Sequence, residues 1–269
     1  MVFAIFILGA IMGSFLNVVI FRFNTGESIV KTGSRCFSCG KKLKWFELIP
    51  ILSFLIQKGR CGGCKSKISW QYPIVELITG VIFLLVFLKI TGYRLPVTGY
   101  YPFNNLPTII YFWIIFSLLM VISVYDFHHK IIPNKIVYLL IFFSLFSSLF
   151  DVLGFGLGIW GLFGAWDFGF EIPKFALSFL TGLFLFAFFA LLWLVSRGRW
   201  IGFGDAKLAF ATGLFLGWPR GLFAVISSFW IGGAIGILLL IFSKKTTMKS
   251  QIPFGPFLAL SAFLVFLLF

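Results

Sequence analysis

The chain has 269 residues, 60% of them hydrophobic and 11% charged, with a mean hydropathy of +1.06. A soluble globular domain is roughly half apolar and a quarter charged, so this composition excludes one and marks an integral membrane protein. The formal net charge of +14 invites a nucleic-acid reading, but the placement of the basic residues argues against nucleic acid and for topology and anionic lipid headgroups.

Apolar runs predict an all-α polytopic membrane protein with about eight transmembrane helices, near 1–21, 73–91, 107–126, 132–150, 174–196, 204–217, 220–243 and 253–269. Each span needs about 20 residues to cross the hydrocarbon, and the sixth is short and rich in small residues. The first run passes into Asn17 and Arg22 without a small-residue cleavage site, so it reads as a retained helix. Gly13 and Asn17 lie four apart on one face of it, with Ser14 adjacent, and predict packing against another helix rather than substrate contact. Eighteen of the 22 basic residues fall in 22–71, 126–135, 197–207 and 243–252; Lys89, Arg94, Lys174 and Arg220 lie on the other side. The positive-inside rule then places the basic side in the cytoplasm and the N-terminus outside. The domain reading is a first helix at 1–22, a cytoplasmic insert at 23–71 and a membrane domain at 72–269.

The insert holds all four cysteines, Cys36-Phe-Ser-Cys39 and Cys61-Gly-Gly-Cys64, separated by 21 residues. The phrases CFSCGKKL and CGGCKSKI form a short internal repeat. Two such pairs suit one tetrahedral, structural zinc, and a reducing compartment disfavours disulfides. A segment of about 50 residues lacks the core to fold alone, and a metal supplies the missing energy.

The chain has only eight acidic residues. Glu27 and Glu47 belong to the insert, and Asp151, Asp167 and Glu171 to an external Gly- and aromatic-rich stretch. Glu76, Asp126 and Asp205 remain at or near membrane depth, where an ionisable side chain signals function. Asp126 ends the inward-running third span in SVYDFHHKIIPNK, and Asp205 begins the outward-running sixth in RWIGFGDAKLAF. Both therefore sit at one level near the cytoplasmic face, where they can meet. Two apposed carboxylates share one proton; the ionised one takes a proton from water while the neutral one polarises a peptide carbonyl. Gly202 and Gly204 would let the backbone turn tightly and admit an extended substrate. The rival readings are two helix caps, which account for Asp205 but not for an anion at the C-terminal end of a helix, and a divalent-ion site of Asp126, His129 and Asp205. Glu76 would cap its helix, meet Arg22 or line a transfer site. Lys130, Arg22 and Lys207 either attract an acidic substrate group or serve topology, and Pro253–Pro256 sets the entry of the last span.

These residues resemble those of the type IV prepilin peptidases, bifunctional leader peptidase/N-methyltransferases of the GxGD membrane aspartyl protease class. The resemblance runs through GSFLNVVIFR (13–22), the cysteine pairs, ELIPILSFL (47–55), YPIVELITG (72–80), YDFHHKIIPN (125–134), GFGDAKL (202–208) and IPFGPFLAL (252–260). It implies Asp126 and Asp205 as catalytic residues. The implied substrates are type IV prepilins or type II secretion pseudopilins, cut on the cytoplasmic side of the bacterial inner membrane after a glycine. It further implies N-methylation of the new N-terminus with S-adenosylmethionine. The chain departs from the family pattern at Phe37, often proline, and at Asn134, often aspartate. No glycine fingerprint of a soluble nucleotide fold is present. The alternatives are a peptidase without methylation and a non-enzymatic membrane protein that handles protons or ions.

Overall fold

The computed structural model describes residues 1–30, 32–92, 106–152, 174–242 and 251–269. The described residues are helical apart from the cysteine-bearing segment and short connections, and the only β pairings among them are two isolated bridges, Arg35 with Lys42 and Arg60 with Lys67. Nine helices are described: α1 (Val2–Arg22), the short α2 (Leu52–Ile56), α3 (Gln71–Thr91), α4 (Leu106–His129), α5 (Asn134–Val152), α6 (Lys174–Ser196), α7 (Phe203–Leu216), α8 (Arg220–Phe242) and α9 (Gly255–Leu268). Every apolar run read as a span is helical. Five helices (α1, α3, α4, α6 and α8) are long and apolar enough to cross a membrane, so the chain is a multi-pass membrane protein. With 14 residues each, α7 and α9 reach only about 21 Å, short of the roughly 30 Å hydrocarbon core. Most of the external stretch expected near 151–173 lies outside the described residues.

The chain divides into two compact units, Met1–Arg94 and Leu95–Phe269. The first takes in α1, the polar segment and α3. There α1 packs along α3 at a seam of small residues, the device that lets helix backbones approach closely in lipid, where the hydrophobic effect offers little drive. A Cβ added at Gly9 would stand 2.7 Å from Phe83 Cβ and 2.8 Å from Gly80 Cα; one at Gly13 would stand 2.7 Å from Glu76 Cα. Asn17 is fully buried and donates to the Tyr72 carbonyl at 3.3 Å. Gly13 and Asn17 thus do what their spacing predicts.

In the second unit α4 packs on α5 and α9, and α7 on α5, α6, α8 and α9. Phenylalanines lock the centre. Phe112 and Phe116 of α4 meet Phe266 and Phe263 of α9 at ring-centroid distances of 4.5 and 5.0 Å, and Phe116 meets Phe215 of α7 at 6.3 Å. Tilted and edge-on contacts of this kind add to the burial of the rings. The α6–α7 contact is again backbone on backbone, since a Cβ at Gly213 would lie 2.6 Å from Gly182 Cα. The outward faces of α6 and α8 are apolar, with Leu194 66% and Trp230 77% exposed.

Gly9→Val should force the α1–α3 seam apart at a cost of about 1–3 kcal/mol. It should lower the thermal midpoint of the full-length protein in detergent, whereas Ile11→Val on the exposed face of α1 should not.

Candidate active site and candidate metal centre

The second unit carries Asp126 in the last turn of α4 and Asp205 in the first turn of α7. Asp126 is only 4% exposed. An anion at the end of its own helix meets the negative end of the dipole, but a second helix reverses this. The Gly255 N–H, at the start of α9, donates to Asp126 Oδ2 at 3.0 Å. The first N–H groups of a helix have no partner within it and are a natural anion site. The absence of a side chain at Gly255 makes this possible, because a Cβ there would stand 2.8 Å from Asp126 Oδ2. Sequence reasoning assigned Pro253–Pro256 to helix entry and missed this donor; the signal was a glycine directly before the first-turn proline.

Asp205 accepts from the Gly202 N–H at 3.0 Å, while its own N–H donates to the Gly202 carbonyl at 3.1 Å. This closes the first turn of α7 reciprocally, as a capping box does. Asp205 therefore is a helix cap, and it also lies within electrostatic reach of Asp126. The two glycines act differently from the expectation of a tight turn. Gly202 has φ −76 and ψ 147, extended backbone open to any residue; a Cβ there would approach Asp205 Oδ2 to 3.2 Å. Gly204 lies within the helix, where a Cβ would stand 2.8 Å from that of Ile132. Their value is close approach: Gly204 lets α7 pack against the segment that follows α4.

The rival ion site does not assemble. Among the described residues, the only group of His, Cys, Asp and Glu placed to share a metal is the four cysteines. His129 instead stacks on Tyr125 at 4.4 Å. Lys207 donates to Asn134 Oδ1 at 2.9 Å and to the Tyr138 hydroxyl at 3.0 Å, and lies over the Tyr138 and Phe203 rings.

In the first unit, Cys36, Cys39, Cys61 and Cys64 are free thiols whose sulfurs all lie within 4.8 Å of one another. Cys36 Sγ and Cys64 Sγ are 3.9 Å apart. Four sulfurs around a tetrahedral ion with bonds of about 2.3 Å stand about 3.8 Å apart, so the cluster fits one such ion. The internal repeat is real in three dimensions. Cys36 N–H donates to the Lys41 carbonyl and Cys61 N–H to that of Ser66, both at 2.9 Å, and Gly40 and Lys65 donate back to Cys36 and Cys61. Gly40 and Lys65, at equivalent places, are both left-handed, with φ 71 and φ 60. The N–H groups of Cys39 and Ser38 pull the Cys36 thiol down to about 6. The Lys41 N–H lowers the Cys39 thiol, but the neighbouring thiols of Cys64 and Cys36 outweigh it and raise the group to about 11. Glu47 braces the first knuckle and lies against the second at Gly62. It accepts from Lys41 Nζ at 2.8 Å and the Lys44 N–H at 2.9 Å, contacts that hold its carboxyl below the usual range. A Cβ at Gly62 would come within 2.9 Å of its Oε1.

Glu76 is not at a helix cap and does not meet Arg22. Its Oε2 accepts from the Ile51 N–H at 2.7 Å. Arg22 pairs with Glu27 at 3.7 Å and donates to the carbonyls of Ser28, Thr32 and Gly33.

Comparison with known proteins supports this division. Residues 7–90 match the bacterial peptidase A24 N-terminal domain, and residues 113–237 the type IV leader peptidase family. The chain is 32% identical to the prepilin leader peptidase/N-methyltransferase of Bacillus subtilis over 98% of its own length and 92% of the relative's. It is 31% identical to that of Myxococcus xanthus over 92% of its own length, spanning 65% of that protein. With the Pseudomonas aeruginosa protein of the same name it shares 27% identity over 97% of its length and 88% of the relative's. No solved structure matches.

Full-length protein purified without chelator should carry about one equivalent of thiolate-bound metal per chain. Elemental analysis should show that fraction collapse in both Cys36→Ser and Cys61→Ser, one from each knuckle.

Proposed function

The chain belongs to the type IV leader peptidase family, and from that premise we propose that it removes the short basic leader of type IV prepilins or type II secretion pseudopilins and then methylates the new N-terminal amine. The observation that carries the proteolytic part is the seating of Asp126 and Asp205. Each carboxylate has one oxygen held by a glycine N–H at 3.0 Å, within electrostatic reach of the other.

In this reading the pair holds one proton. The ionised member accepts a proton from water as the water oxygen attacks the scissile carbonyl carbon; the neutral member donates to the carbonyl oxygen. The tetrahedral species collapses, the C–N bond breaks and the leaving amine takes up a proton. Neither metal nor covalent intermediate enters. The work of Gly255 and Gly202 is to fix one oxygen of each acid and leave the other to water or peptide.

Zinc, held by Cys36, Cys39, Cys61 and Cys64, has a structural role, because four cysteine ligands leave no open position for substrate. S-adenosylmethionine, when bound, supplies an electrophilic methyl group. The active aspartates and the zinc module face the cytoplasm of the bacterial inner membrane, on the strength of the basic-residue bias, and the apolar outer faces of α6 and α8 meet lipid.

Asp126→Asn and Asp205→Asn should each lower cleavage of a prepilin in detergent by about 10²-fold or more, with the melting temperature retained. Near-normal cleavage by either variant would sink the dyad. Gly255→Ala pushes on the Asp126 carboxylate without removing it; mass spectrometry of the products should show cleavage slowed by about tenfold or more.

A further inference from the structure

Three acids of the first unit, Glu27, Glu47 and Glu76, line one pocket of about 320 Å³. Two of them are neutralised: Glu27 by Arg22 and Arg35, Glu47 by Lys41. Glu76 is different. It is 6% exposed, its partners are the Ile51 N–H and the Ser14 hydroxyl, and it takes part in no ion pair among the described residues. Of the cations on the pocket wall, Arg22 is committed to Glu27 and to backbone carbonyls and Arg35 to Glu27, while Lys67 forms no ion pair among the described residues. A buried carboxylate with only neutral partners either keeps its proton or takes up a cation.

The rest of the wall narrows the kind of cation. Phe21 stacks on Tyr72 with centroids 5.1 Å apart and meets Phe37 at 5.8 Å, and all three rings line the pocket. Aromatic faces attract onium groups and accept flat heterocycles. The volume falls in the range of small-molecule sites, which combine apolar walls with a few polar groups. The ligand that fits is a cation carrying a flat ring system.

We propose that this pocket is the methyl-donor site: it binds S-adenosylmethionine with Glu76 facing the sulfonium and the Phe21–Tyr72–Phe37 cluster receiving the adenine. The proposal rests on the methyltransferase reading above. It places the donor on α1, the polar segment and α3, and it gives Glu76 a task that is independent of proteolysis. The free N-terminal ammonium of a cleaved pilin shares the positive charge and is the rival occupant.

The test is calorimetric titration of full-length protein in detergent with S-adenosylmethionine and with S-adenosylhomocysteine, which has the same adenosyl group but a neutral sulfur. The proposal predicts that Glu76→Gln weakens S-adenosylmethionine by about tenfold or more, the scale of a contact to a charged group, and leaves S-adenosylhomocysteine nearly unchanged. Phe21→Ala should weaken both ligands. A merely structural role for Glu76 would lower both affinities together and would overturn the assignment. Donor binding indifferent to both substitutions would place the donor elsewhere while leaving the methyltransferase reading intact. If only the KM for cleaved pilin rose in Glu76→Gln, the pocket would belong to the peptide ammonium and the proposal would fail. Wild-type protein that cleaves prepilin but neither binds the donor nor methylates would remove the methyltransferase reading and the proposal together.

Discussion

A charge buried at the end of a helix needs a partner that its own helix does not provide. Asp126 closes α4, where the dipole repels it, and the start of α9 supplies the missing donor through Gly255. The geometry of the second unit serves this contact. The phenylalanines between α4, α9 and α7 fix the helices laterally, and Gly204 lets α7 settle against Ile132. Asp205 is held from within its own turn. One carboxylate is thus anchored by long-range packing and the other by local capping, and the site exists where those two modes meet.

The first unit solves a different problem. Its polar segment has too little apolar material to hold itself together and relies on specific ties: the thiol cluster, the bonds of Glu47 to Lys41 and Lys44, and Arg22 threaded through the carbonyls that follow α1. The segment rests on a helix pair whose own contact is close-packed glycine. This combination leaves a pocket lined in part by rings, with Glu76 buried in its wall.

Sequence patterning reached far because membrane proteins write their helices as long apolar runs. All eight expected runs appear as helices within a few residues of their limits. The cysteine spacing disclosed a cluster, and even the duplicated phrase matched a duplicated hydrogen-bond pattern. The exclusion of soluble-type acids left Asp126 and Asp205 as a pair. Contacts between distant segments stayed hidden. Nothing local in IPFGPF announces that its glycine N–H serves an aspartate 129 residues away, and nothing near Glu76 announces Ile51. The glycines of GFGD were legible as important, but the tight turn expected of them is absent at Gly202, which has an ordinary φ, and at both a Cβ would crowd a neighbour. The short run read at 204–217 gave a helix of the length expected of it, while the last, read as 253–269, begins only at Gly255 because hydropathy does not report where Pro253 interrupts an apolar stretch.

The seam between α1 and α3 has a consequence for how the chain is made. The two helices are neighbours in space but are separated in sequence by the whole polar segment, so α1 cannot find its partner until Thr91 has been synthesised. That is about 70 residues beyond Arg22, or roughly 3–14 seconds at ordinary rates of elongation. During that interval the glycine face of α1 has no helix to close on, and the cysteine knuckles emerge one after the other, the first complete well before the second. Early assembly is therefore ordered in time: a lone helix, then half a metal site, then a whole one, and last the helix that joins them.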